Sequence, residues 1–121
     1  MLEYGFDEIE VWSIIGSRKG EENCINQNGL TEAFYPYEVV TEARRCYMRD
    51  IIRSLRKSGH PILSLPGNKG GYFTPNTREE VEAWRDFMRS KAISEFAIIN
   101  PVLEGCSRVL NTKFKQLELI F

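Results

Sequence analysis

Arg44, Arg45, Arg49, Arg53, Arg56 and Lys57 crowd one short run of this chain, and Lys69 follows in the next turn-forming stretch. A guanidinium donates paired hydrogen bonds to a phosphate or to the edge of guanine, and a lysine ammonium adds a point charge. These groups therefore suit recognition of a polyanion rather than bond making. From Glu42 to Lys57 the six basic residues face only two acidic ones, Glu42 and Asp50. A helix flank that is merely solvated usually mixes its charges into i,i+4 pairs.

Helical geometry separates the basic residues from the apolar ones. With about 100° per residue and Arg45 at zero, Arg56, Arg49 and Arg53 fall at about 20°, 40° and 80°. Ile51, Leu55, Met48 and Ile52 fall at about 240°, 280°, 300° and 340°. The basic face lies roughly a quarter turn from the apolar one, not opposite to it. A helix that packs on its own domain while offering a flank to a duplex has this layout. Its use on DNA requires Arg45, Arg49, Arg53 and Arg56 to form one open ridge, unengaged by the chain's own carboxylates.

The neighbouring elements position that helix. Gly59-His60-Pro61 stops it, and Ile62 to Leu65, Pro66 to Gly71 and Tyr72 to Thr74 read as strand, turn and strand, with Lys69 at the tip. Gly67-Asn68-Lys69-Gly70-Gly71 lacks the GxxxxGK[ST] spacing of a phosphate-cradling loop and precedes a strand. Upstream, Asp7 to Gly16 predicts a first helix with Val11, Trp12 and Ile15 inward, and Gly16 to Gly29 predicts a loop. Thr31 to Val40 is expected to hold a second helix, with Pro36 early in it and Tyr37, Val39 and Val40 packing.

Downstream, Thr77-Arg78-Glu79-Glu80 fits a capping box that opens another helix. Val81, Trp84, Met88, Ala92 and Ile99 share one stripe, with Phe87 beside it, and this helix is expected to end before Pro101. The stripe reads as core; a homodimer through Trp84, Phe87 and Met88 is the alternative. Asn100-Pro101 is expected to cap a short final helix carrying Val102, Leu103, Cys106, Val109 and Leu110. The expected class is mainly α with a small β-hairpin wing, a winged helix-turn-helix, plus a C-terminal helical extension and tail. The segments are 1–76, 77–112 and 113–121.

Bulk composition sets limits. At 121 residues, 42% hydrophobic and a net charge of −1, the chain suits one compact domain, and any affinity for nucleic acid must come from a local patch. The first 22 residues carry six acidic groups against Arg18 and Lys19, so that segment is expected to face away from phosphates. No signal-like start or membrane-length apolar run is visible, which places the protein in the cytoplasm with no membrane partner. Cys24, Cys46 and Cys106 are widely spaced, with no CxxC pair to suggest a disulfide framework or a metal site. The one histidine, His60, sits beside Pro61, and neither paired carboxylates nor a cofactor loop accompanies it. No catalytic residue, metal or cofactor is expected.

Leu55-Arg56-Lys57-Ser58-Gly59-His60-Pro61-Ile62, then Gly70-Gly71-Tyr72-Phe73, then Glu79-Glu80-Val81-Glu82-Ala83 resemble small winged-helix proteins of bacteria and their phages. The likeness covers residues 45 to 95; the proline in the second helix departs from it. It implies a winged helix that binds double-stranded DNA, with Arg45 and Arg49 at base edges. Arg53 and Arg56 would meet phosphates, and Lys69 a phosphate or a minor-groove edge. The last six residues, Gln116-Leu117-Glu118-Leu119-Ile120-Phe121, resemble the QLxLxF motif by which bacterial replication proteins dock on the sliding clamp. That likeness implies Gln116 at a pocket rim and Leu119 and Phe121 in apolar pockets, with Leu117 and Ile120 alongside. Together these imply a phage- or prophage-derived DNA-binding protein in replication or its regulation, recruited to the clamp. The alternatives are a protein-interaction module that occupies a host protein, and a plain transcriptional regulator.

Overall fold

The computed structural model describes residues 5–67 and 70–118. The fold is mainly helical with one two-stranded antiparallel sheet. The chain divides into two compact units, Met1–Trp84 and Arg85–Phe121. No helix among the described residues is long and apolar enough to cross a membrane.

In the first unit, α1 (Phe6–Gly16), α2 (Gln27–Phe34) and α3 (Glu42–Lys57) precede a hairpin of β1 (Leu63–Ser64) and β2 (Tyr72–Phe73). Val11 and Ile15 from α1, Leu30 from α2 and Met48, Ile51, Ile52 and Leu55 from α3 close one core, sealed by Ile25 and Ile62. The inward residues of α3 are those its apolar periodicity selects. Of the three expected from α1, Val11 and Ile15 are fully buried and Trp12 packs half-buried against the cluster.

The ends of α3 follow from sequence chemistry. Thr41 Oγ1 accepts the Arg44 N–H at 3.2 Å and starts the helix. At the other end the Gly59 N–H reaches Arg56 O and the His60 N–H reaches Leu55 O, the two bonds of a Schellman motif. That closure needs a left-handed residue, and Gly59 has φ +94°.

The region before α3 differs from expectation. The second helix is α2, earlier than Thr31 to Val40. Asn26 Oδ1 caps it by accepting the Gly29 N–H at 2.6 Å, and Pro36 falls in the turn beyond its end, where a missing N–H costs no helical bond. Tyr37 and Val39, expected to pack, are 97% and 76% exposed. The expected loop of 16–29 is also partly ordered. It holds a 3-10 turn, Glu21–Asn23, and Ile25 then pairs antiparallel with Tyr72 through two bonds of 2.9 and 2.8 Å. Tyr72 thus has Ser64 on one side and Ile25 on the other. Gly71 permits this approach, since a Cβ there would collide with the Ile25 carbonyl.

α4 (Arg78–Ala97) opens with the expected capping box: the Glu80 N–H meets Thr77 Oγ1, and the Thr77 N–H meets the Glu80 carboxylate at 2.9 Å. Glu80 also accepts the backbone N–H groups of Asn76 and Glu21, at 2.7 and 2.6 Å. These donors, Asn76 first, hold its carboxyl below the ordinary carboxylate range.

In the second unit α4 ends at Ala97 and α5 (Ile99–Leu110) begins after one residue, with Pro101 in its first turn, where its ring is tolerated. Ile99 therefore belongs to α5, not to the stripe of α4. Asn100, expected as a cap, instead pairs with the backbone of Leu117: it donates to the carbonyl and accepts from the N–H, each at 2.8 Å. Neither α4 nor α5 contains a buried residue. The stripe expected as core is open, with Val81 41% and Met88 37% exposed, while Trp84 is half-buried.

Candidate nucleic-acid interface

α3 turns Met48, Ile51, Ile52 and Leu55 into the core and leaves its basic flank outside. Arg45 and Arg49 project from its first turns and share one carboxylate: Arg45 Nη2 and Arg49 Nη2 lie 2.9 and 2.7 Å from Glu42. Arg45 Nη1 also donates to Asn28 Oδ1 at 3.2 Å, linking the two helices. Hydrogen bonds from Arg49, Arg45 and Cys46 pull the Glu42 carboxyl down to about 2, so it is ionised at neutral pH. The same pairing raises the pKa of Arg49. Arg53 lies 3.6 Å from Asp50, and both side chains are more than two-thirds exposed. Lys57 stands exposed in the last turn.

The requirement for a ridge unengaged by the chain's own carboxylates is not met. Glu42 and Asp50 sit three residues before Arg45 and Arg53, one helical turn away on the same face, so they reach them without effort. One carboxylate between two guanidinium groups leaves the Glu42 cluster net positive, and every member of it remains solvent-accessible.

Two of the arginines have structural seats instead. Arg44 turns away from the ridge onto the connector between α2 and α3. There it pairs with Glu38 at 2.6 Å, donates to Val39 O and lies 5.1 Å over the Tyr35 ring. Arg56 is drawn inward at the junction of α3 with the hairpin. Its Nε donates to Ile62 O at 2.9 Å and its Nη2 to Ser64 Oγ at 3.2 Å. Its guanidinium stands 5.9 Å from the Tyr72 ring centre and 5.6 Å from that of Trp84. Burial lowers its pKa, and no carboxylate among the described residues pairs with it. The expectation that Arg56 lies on the ridge, reaching for phosphate, gives way to this seat.

Tyr72, beside Arg56, hydrogen-bonds through its hydroxyl to Gln27 Oε1 at 2.8 Å, so the start of α2, the end of α3 and β2 meet at one place. Lys69, expected at the hairpin tip, lies outside the described residues, as do Leu119, Ile120 and Phe121 of the expected docking motif. Gln116 and Leu117 are exposed.

Arg45, Arg49, Arg53 and Lys57 therefore share one open flank, whereas Arg44 and Arg56 leave it. The participants missed from the sequence are Glu42 and Asp50 as counter-ions, Glu38 as the partner of Arg44, and Tyr72 and Trp84 around Arg56. The i,i+3 spacing of the two same-helix pairs was a usable signal; the contacts of Arg56 have none in linear order. Comparison with protein-family models, with curated proteins and with solved structures finds no match.

Proposed function

We propose that the first unit is a winged-helix domain that binds double-stranded DNA, with α3 in the major groove and the β1–β2 hairpin as the wing. The observation that carries this is the division of α3: its apolar stripe is sealed in the core while Arg49, Arg53 and Lys57 stand exposed on one flank with Arg45 half-buried beside them. The element order supports it, since a strand segment at Ile25, two helices and a hairpin succeed one another and the segment at Ile25 joins the hairpin edge.

The open four-arginine ridge expected from the sequence is absent, so the proposal rests on a weaker condition: that the exposed ion pairs of Arg45, Arg49 and Arg53 exchange for phosphate. Exposed pairs contribute little and weaken in salt, and a phosphate can take the place of Glu42 or Asp50. Glu42 then acts as a tethered competitor that sets how tightly DNA is held. The role is one in phage or prophage replication or its regulation, in the cytoplasm.

A fluorescence-anisotropy titration of labelled duplexes tests this. Arg45→Ala or Arg49→Ala should lose about 5- to 150-fold in affinity for a preferred site and blunt its preference over other sequences. If both variants bind every duplex as the parent does, α3 is not the reading helix.

Docking of the tail on a sliding clamp is a second reading: Gln116 and Leu117 are exposed in non-helical chain after α5, and docking must release the Leu117 backbone from Asn100. A nuclease-treated pull-down with purified clamp, with and without the last six residues, decides it. Capture that survives nuclease and needs the tail supports the clamp. Capture of other proteins through the arginine flank, with no DNA binding, would favour a protein-interaction module instead.

A further inference from the structure

The junction of α3 with the hairpin holds a cation that the fold leaves without a counter-ion. Arg44, Arg45, Arg49 and Arg53 of α3 each pair with a carboxylate. Arg56 is half-buried, burial lowers its pKa, and no carboxylate among the described residues pairs with it. The Tyr72 and Trp84 rings offset only part of what it costs to desolvate that charge.

The donors of Arg56 are not exhausted. A guanidinium has five N–H groups. Ile62 O takes the one on Nε and Ser64 Oγ takes one on Nη2, so both on Nη1 and the second on Nη2 have no acceptor among the described residues. Ser64 accepts from Arg56, and its own hydroxyl proton likewise has no acceptor among them. Arg56 and Ser64, with Gln27 and Tyr72, line an open cleft of about 280 Å³ between the start of α2, the end of α3 and the hairpin. None of the residues that line it is acidic. The Tyr72 hydroxyl occupies Gln27 Oε1, and Gln27 Nε2 donates to Arg45 O at 3.2 Å, so that wall is fixed by its own bonds. A second cation is close: burial raises the Tyr72 pKa, and the charges of Arg56 and Arg49 act against the rise.

We infer that this cleft binds the phosphate group of a small molecule, held by the spare N–H groups of Arg56 and the hydroxyl of Ser64, with Arg49 as a second positive charge nearby. The free N–H groups of Nη1 and Nη2 share one edge of the guanidinium, which gives paired, charge-assisted bonds to an oxyanion. The Ser64 hydroxyl rotates to suit and adds a further donor. A phosphate monoester carries close to two negative charges at neutral pH, and two cations favour it over a singly charged carboxylate. The cleft is at the small end for ligand sites, so the molecule that carries the phosphate is small. The site stands apart from the DNA-facing flank of α3 and does not depend on DNA binding.

A titration of the full chain with inorganic phosphate, followed by heteronuclear NMR against chloride at matched ionic strength, tests the inference. The Arg56 Nε–H and the Ser64 and Tyr72 amides should shift together and saturate with phosphate but not with chloride. Ser64→Ala keeps the guanidinium and should weaken the affinity about tenfold. Arg56→Met, checked as folded by its amide dispersion, should abolish the saturable shifts at Ser64 and Tyr72. A duplex without terminal phosphates should leave the Arg56 signal in place, whatever it does at Arg45 and Arg49. Shifts that fail to saturate, that chloride reproduces or that Ser64→Ala leaves at parental affinity would overturn the inference. So would an Arg56 signal that answers to the duplex and not to free phosphate.

Discussion

Replacing Arg56 by methionine keeps an unbranched stem and removes the guanidinium, which isolates what that group does at the junction of α3 with the hairpin. The change deletes a hydrogen bond of 2.9 Å to Ile62 O and one of 3.2 Å to Ser64 Oγ. At a half-buried site each contributes about 1 kcal/mol, and the contacts with the Tyr72 and Trp84 rings add about 0.5 kcal/mol apiece. Relief of the buried charge offsets part of this. The net destabilisation comes to about 2 kcal/mol. With a urea slope of about 1.5–2 kcal/mol per molar, the unfolding midpoint should fall by about 1 M at unchanged slope. Amide exchange at Leu63, Ser64 and Tyr72 should quicken, because the hairpin loses its tie to α3. Lysine should not rescue the loss, since it cannot reproduce the planar fork or its stacking. A midpoint within about 0.3 M of the parent, with hairpin exchange unaltered, would refute the structural seat and return Arg56 to the solvent-facing ridge.

Three further perturbations follow from single contacts. Tyr47 donates its hydroxyl proton to Asp7, which, with burial, raises its pKa from 10.0 to about 12. The folded state keeps that proton when the unfolded chain has lost it, so stability should decline as pH rises from 10 towards 12, and Tyr47→Phe should flatten that decline in a thermal-melt series. Glu80, held below its ordinary range by the Asn76, Glu21 and Thr77 N–H groups, contributes stability above that range that is lost as pH falls through it. Glu80→Gln should therefore lower the melting temperature at neutral pH and weaken its dependence on acid. Gly71→Ala should cost about 2 kcal/mol or more, because its Cβ meets the Ile25 carbonyl and must push the segment at Ile25 off β2; urea unfolding measures it.

Much of the first unit could be read from residue order. The apolar period of α3, the Gly59 stop and the capping box at Thr77 are local signals whose partners lie within a few residues, and each appears where expected; the Thr41 cap is equally local but was not read. Non-local chemistry escaped. Ile25 pairs with Tyr72, far along the chain, and nothing in 16–29 announces an extended residue there. Pro36 misled by its position: it ends the chain's departure from α2 instead of opening a helix, and the Asn26 cap was the better marker. On the candidate interface, periodicity placed Arg45, Arg49 and Arg53 on one face but could not say which carboxylate they meet. Arg56 shares their angle, but a helical wheel cannot register that β1 and Trp84 approach from the side. The stripe of α4 looked like core because amphipathicity records an apolar face without stating what covers it.

The central claim is that Arg45, Arg49, Arg53 and Lys57 exchange their present surroundings for DNA phosphates and bases. The salt dependence of duplex binding measures this most directly. Arg53 and Lys57 on phosphates give a slope of about −1.8 in log K against log salt, at about −0.9 for each phosphate neutralised, while Arg45 and Arg49 face the bases. The Arg53→Ala, Lys57→Ala double variant should lose nearly all of that slope, whereas Arg56→Met, if it stays folded, should leave it nearly unchanged. No binding at low salt, or a slope that the double variant does not alter, would contradict a DNA-facing α3.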